Sequence, residues 1–176
     1  MPRPPFDAIF PKLPDDGRIL YFARDRAEFE FLSHFYPARI VLDGEDWPSV
    51  EHYYQAQKSD SHRYRAAIRA AVSPGIAKRL AAPPDAPRRL SQQSWFRKNG
   101  KLPRADWAEV KLAVMRRADE AKFLQNPDLA QRLLATGDAE LVEDSRNEAF
   151  WGTGRDDAGL NWAGRILMEI REKLRG

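Results

Sequence analysis

The chain predicts an α+β fold, a mostly helical single domain with a small β-sheet. Three observations predict it. Short β-rich runs stand near its front, at residues 19–22 and 40–42. Helical spacing of apolar residues takes over from Ser49 onward. At 176 residues, 43% hydrophobic and 31% charged, the chain can bury one ordinary core and is too apolar to be disordered.

The elements follow in order. Residues 1–18 are proline-rich and read as an extended arm ahead of one domain over 19–176. Ile19-Leu20-Tyr21-Phe22 has strand character. Ile40-Val41-Leu42 runs into Asp43-Gly44, a two-residue hairpin signal, and returns through Glu45 to Trp47. Ser49 caps the next helix. A basic, alanine-rich helix spans 61–72 until Ser73-Pro74-Gly75, and Pro74 opens a short helix to Leu80. Three prolines within 82–87 require a surface loop. Asp106, with Glu109 three residues on, starts a helix carrying Trp107, Val110, Val114, Ala118 and Ala121 at core spacing. Asn126-Pro127 begins another, with Leu129, Leu133 and Leu134 inward and Gly137 at its end. Leu141-Val142 forms a short strand. The last helix starts near Asn161 and buries Trp162, Ile166, Leu167, Ile170 and Leu174. No internal repeat interrupts this order.

Composition narrows the chemistry. There is no cysteine, which excludes disulfides and thiolate catalysis. The three histidines, His34, His52 and His62, form no zinc-binding pair, so a zinc site is not expected, while carboxylate-bound magnesium stays open; no cofactor is expected. The N-terminus lacks the apolar run of a signal peptide and no stretch reaches membrane-span length, so a cytoplasmic protein is expected. A formal charge of +3 favours an anionic ligand without requiring nucleic acid.

Reactive groups concentrate in Trp47-Pro48-Ser49-Val50-Glu51-His52-Tyr53-Tyr54-Gln55-Ala56-Gln57-Lys58. On a helix, Glu51, Tyr54, Gln55 and Lys58 share one face, while Val50, Tyr53 and Ala56 share another. A carboxylate, phenol, amide and amine in one row can bind a ligand and move protons. An acid favoured by the helix dipole and a solvated lysine would explain Glu51 and Lys58 equally well.

A second segment, residues 150–161, has three glycines in eight positions (Gly152, Gly154 and Gly159), a flat Trp151, and Arg155 and Asp156. It suits close approach to a phosphate at a helix N-terminus, or is simply a tight connection capped by Asn161. Between Arg88 and Arg104 lie six basic residues, no acid, and Trp95-Phe96. That stretch suits a phosphate-bearing or single-stranded nucleic-acid ligand, or is a solvated loop. His34, among aromatics in Phe31-Leu32-Ser33-His34-Phe35-Tyr36-Pro37, is either a satisfied core group or a pocket donor.

Together these segments resemble the NADAR family, the riboflavin-biosynthesis-intermediate N-glycosidase group, over residues 19–174. The resemblance rests on the 31–37 and 47–58 blocks, Asp106-Trp107 with its helix, and residues 151–161 with the last helix. It implies hydrolysis of a C1′–N bond in phosphorylated ribosylaminopyrimidines of early riboflavin synthesis. For other members it implies ADP-ribose joined to guanine, with nucleic acid as a possible carrier. A non-catalytic ADP-ribose or NAD-binding module is the remaining alternative. The resemblance also implies Glu51, Lys58 and Asp156 as catalytic residues. Ser33, His34, Tyr36, Tyr54, Gln55, Trp107, Trp151, Gly152, Gly154, Arg155 and Asn161 are the expected substrate contacts. His34 departs from the family pattern, which usually has asparagine there, so ligand contacts at that position differ. Residues 82–101 match the family poorly.

Overall fold

The computed structural model describes residues 17–21 and 27–176. Most of the expected N-terminal arm, residues 1–16, lies outside the described residues, as does Phe22 of the first expected strand. The elements run β1 (Arg18–Tyr21), a 3-10 turn (Ala27–Leu32), β2 (Ile40–Leu42), β3 (Glu45–Trp47), α1 (Val50–Ala56), α2 (His62–Arg69), α3 (Pro74–Leu80), α4 (Arg88–Ser91), α5 (Trp95–Asn99), α6 (Trp107–Gln125), α7 (Pro127–Leu134), β4 (Glu140–Glu143) and α8 (Trp162–Arg175). The fold is therefore α+β and mostly helical. Its strands form two separate pairs among the described residues, β1 with β4 in parallel and β2 with β3 antiparallel. The parallel pair joins strands far apart in sequence, which no local turn signal can announce.

The chain clusters into two compact units, Pro37–Lys122 and the remainder. In Pro37–Lys122, the β2–β3 turn has φ of 55° at Asp43 and 75° at Gly44, the two left-handed positions of a tight hairpin. Trp47 leaves it fully buried, edge-on to Tyr53 at 5.6 Å and overlaid by the guanidinium groups of Arg65 and Arg69. Serines cap the helices that follow: Ser49, Ser61, Ser73 and Ser94 each accept a backbone N–H from inside the first turn. The cap at Ser73 explains why α2 stops at Arg69, short of the expected residue 72. The basic stretch is not a loop. It contains α4 and α5, the latter closed by Gly100 at φ 59°.

α6 buries Ala118 and Ala121 as expected, together with Met115, Asp119, Lys122 and Phe123, whereas Trp107, Val110 and Val114 are only half-buried. The buried side thus follows the expected apolar row toward its C-terminal end and includes two charged residues.

In the other unit, Ile19 and Tyr21 of β1 and Leu141 and Val142 of β4 form a buried core with Leu129 and Leu133 of α7 and Ile166, Leu167 and Ile170 of α8. Leu134, Trp162 and Leu174, expected inside, are half-buried. Arg171 replaces them: it is buried, and donates to Thr136 Oγ1 at 2.7 Å and to the Ala139 carbonyl at 2.9 Å. α8 lies directly on the backbone of β4, because a Cβ at Gly164 would stand 1.9 Å from the Leu141 carbonyl oxygen. No helix among the described residues is long and apolar enough to cross a membrane.

Candidate active site

Glu51 sits in the first turn of α1, a helix buried on every side. Polar side chains can occupy such a helix only when each finds a partner. Ser49 Oγ accepts the His52 backbone N–H at 3.4 Å and lies 2.8 Å from His52 Nδ1. The other ring nitrogen, Nε2, is 3.1 Å from the Ala71 carbonyl. A carbonyl only accepts, so Nε2 carries the proton and Nδ1 accepts from the Ser49 hydroxyl. Burial holds the His52 pKa below its ordinary value.

Glu51 is 4% exposed and Gln55, one turn on, is 3% exposed. Gln55 Nε2 donates to Glu51 Oε1 at 2.8 Å. Gln55 Oε1 is buried without a hydrogen-bond partner among the described residues, an arrangement that costs about 1–3 kcal/mol. The Tyr64 hydroxyl donates to the Gln55 main-chain carbonyl at 2.8 Å. Burial drives that phenol's pKa far upward, so it remains a donor. Tyr64 packs on Phe96 at 4.7 Å and Trp95 at 5.2 Å. Buried Phe96 and half-buried Trp95 thus support Gln55 through Tyr64.

Lys58 follows α1 in a turn, because that helix ends at Ala56. Its Nζ donates to the Ala81 carbonyl at 3.3 Å and lies 5.7 Å from the centre of the Trp107 ring. The Lys58 carbonyl accepts the Arg104 backbone N–H at 2.8 Å, which ties the lysine to the start of α6. Tyr54 meets Trp107 at 4.9 Å between ring centres. Tyr54, Lys58 and Trp107 therefore converge. Next to them, Arg104 grips Asp106 through Nε at 2.5 Å and Nη2 at 2.7 Å, holding that carboxyl below its usual range.

The remaining expected site residues belong to the other unit. Ser33 Oγ accepts the Phe35 N–H at 3.1 Å, and the Ser33 carbonyl accepts the Tyr36 N–H at 3.1 Å. This folds residues 33–36 into a turn that buries His34 edge-on to Trp151, with ring centres 6.3 Å apart. Phe150 braces Trp151 from the side at 4.8 Å. Arg155 and Asp156 are exposed, and Asp156 Oδ1 accepts the Ala158 N–H at 3.4 Å.

The expected phosphate cradle is corrected here. The N–H groups of Gly152, Thr153, Gly154 and Gly159 donate to the carbonyls of Glu148, Glu143, Ser145 and Thr153. At the start of α8, those of Asn161, Trp162 and Ala163 donate to Gly152, Phe150 and Trp151. These amides are occupied and cannot hold an anion. Gly152 and Gly159 serve close packing, since a Cβ would come within 2.5 Å of Glu143 O and 2.1 Å of Gly152 O respectively. Asn161, at φ 49°, turns its amide onto β4, accepting from Glu143 N and donating to Leu141 O. Its side chain makes no helix-capping bond.

Sequence reasoning missed His52, Tyr64 and Ala81, all of which act here through buried or main-chain contacts. Tyr64 alone left a trace, as the one aromatic in a basic, alanine-rich helix. No group of three or more His, Cys, Asp or Glu able to hold a metal comes together among the described residues.

With this geometry in place, comparison with known proteins is decisive for the family. The NADAR domain model matches residues 21–175. The chain belongs to the NADAR domain family. Among NADAR relatives, a riboflavin biosynthesis protein of Vibrio vulnificus is 43% identical over 155 residues, covering 88% of this chain but 38% of that protein. The chain thus spans little more than a third of that relative. N-glycosidase YbiA of Escherichia coli is 39% identical over 156 residues, covering 89% of this chain and 88% of YbiA. The solved NMR structure of E. coli YbiA superposes with a TM-score of 0.73 at 37% identity, over 94% of this chain and 88% of that one. An N-glycosidase of Nostoc punctiforme is 38% identical over 156 residues, covering 89% of this chain and 92% of that protein.

Proposed function

We propose that this NADAR chain is an N-glycosidase that hydrolyses the C1′–N bond of phosphorylated ribosylaminopyrimidines, with residues 19–176 as its catalytic domain. The reading leans on relatives named N-glycosidase and riboflavin biosynthesis protein. One observation carries it furthest: Glu51 is 4% exposed, and no salt bridge reaches it among the described residues. A buried carboxyl without a counter-ion costs stability, and active sites are where proteins keep such groups.

In the direct route, Glu51 gives its proton to the departing nitrogen as the C1′–N bond breaks. It then takes a proton from the water whose oxygen bonds to C1′. Trp107, which converges with Tyr54 and Lys58, supplies a flat apolar wall for the base. Lys58 opens a second route. The ring-opened glycosylamine is an imine; neutral Lys58 adds to C1′, the amine departs, and water releases the sugar from the resulting lysine imine.

The test is turnover of ribosylaminopyrimidine phosphate by the full chain and by Glu51→Gln and Lys58→Arg variants, with and without borohydride. Glu51→Gln is expected to abolish release of the amine while still binding substrate; normal turnover by it would remove Glu51 from the reaction. A borohydride-trapped adduct dependent on Lys58 selects the imine route, and its absence during turnover selects the direct one. Binding with no release by the wild-type chain would leave only a nucleotide-binding module. A second substrate, ADP-ribosylated guanine in an oligonucleotide, is favoured by the exposed Arg88, Arg89, Arg97, Lys98 and Lys101. Relative rates on the two substrates decide between them.

A further inference from the structure

We propose that Gln55 is a positioning residue for Glu51: its amide fixes Oε1 as an acceptor and leaves Oε2 as the oxygen that carries and exchanges the proton. This rests on the acid–base role proposed above for Glu51, and it replaces the expectation that Gln55 binds substrate. Gln55 Nε2 stands 2.8 Å from Glu51 Oε1, one helical turn along α1, with both side chains buried. An amide N–H can meet only an oxygen that bears no hydrogen on its side. While the contact persists, a neutral Glu51 holds its proton on Oε2.

The contact is anchored from behind. Tyr64 is fully buried against Phe96 and Trp95, and its hydroxyl fixes the main-chain carbonyl of Gln55 at 2.8 Å. The other end of the amide argues that it is kept for more than volume. Gln55 Oε1 is buried with no hydrogen-bond partner among the described residues. An apolar side chain of the same length would fill the space without leaving that acceptor unmatched. The N–H directed at Glu51 is what glutamine adds.

The experiment measures kcat and KM against pH for ribosylaminopyrimidine phosphate, using full-length wild type, Glu51→Gln, Gln55→Met and Gln55→Glu. Gln55→Met keeps the volume and is expected to lower kcat about tenfold, the scale of one lost charge-assisted hydrogen bond, with KM within about twofold. The pH limb of kcat is expected to move up by about half a unit to one unit, because the donor that favours the ionised carboxylate is gone. Gln55→Glu is expected to move that limb further up, since two adjacent carboxyls must share a proton. It gives the same readout if the methionine variant melts early.

A limb that stays in place in both variants, with Glu51→Gln inactive, overturns the proposal alone. So does a raised KM with kcat and limb unchanged, which would return Gln55 to substrate binding. An active Glu51→Gln variant would instead bring down the role of Glu51, and this proposal with it.

Discussion

Asp43 stands at the tip of the β2–β3 hairpin, where φ of 55° suits aspartate or asparagine better than most residues. Its Oδ1 accepts from Arg117 Nη2 at 2.8 Å and its Oδ2 from the Tyr53 hydroxyl at 3.0 Å, while Arg117 Nη1 donates to that hydroxyl at 2.8 Å. The Arg117 contact holds the Asp43 pKa below its ordinary 3.8. Burial, then Asp43, pushes Tyr53 up to about 12. The lowered acid stabilises the fold above pH 3.8, and that contribution disappears as pH falls through the folded value. Tyr53 works the opposite way: its contribution is whole below its ordinary value of 10.0 and is lost as pH rises through about 12. The Asp43 and Arg117 side chains are 38% and 52% exposed, so solvent screening limits the ion pair to under about 1 kcal/mol. Asp43→Asn keeps the turn and removes the charge. Urea unfolding at neutral pH should show a loss of that size, shrinking as pH falls through the lowered folded value of Asp43; a gap that persists at still lower pH would locate the effect elsewhere.

At the scale of elements, whatever depends on neighbouring residues was legible. Asp43-Gly44 announced its hairpin, Ser49 its cap, and Pro74 the helix it opens. Contacts between distant segments were not. Nothing near Ile19 says that Leu141 pairs with it, and helical periodicity does not show that α1 stops at Ala56, ahead of Lys58. α4 and α5, at four and five residues, are too short to show helical periodicity. Nothing local in the sequence of α8 marks Gly164 as the residue that lies against β4. Gly164→Ala sets a methyl 1.9 Å from a carbonyl oxygen that cannot swing aside, and should cost about 3 kcal/mol or more. Gly75→Ala is the control: its Cβ meets nothing nearer than 4.0 Å, and alanine should raise helix stability by about 0.5–1 kcal/mol. Denaturation midpoints of the two variants decide the matter; equal shifts would contradict the close contact.

For the whole molecule, the family was readable from four blocks of sequence because each combines rare residue types in fixed order. The allocation of those blocks was not. The carboxyl, lysine and first indole belong to Pro37–Lys122, and the histidine, second indole and glycine loop to the other unit. The amides of that loop looked available only because sequence shows donors and not their acceptors. The family match begins at residue 21, which leads to a test of the whole chain. A protein beginning at Gly17 should keep the melting temperature of the full chain, and a large loss would assign the preceding residues to the folded domain.

Residues 152–154 and 159–163 form a connection in name, yet each of their main-chain N–H groups donates to a main-chain carbonyl. Deuterium should therefore enter them slowly, at rates closer to those of α8 than to those of an open loop. Mass-spectrometric exchange over seconds to hours would register this, and rapid labelling of Gly152 to Gly154 would contradict it. The indole at position 151 then rests on a mount that is fixed in advance.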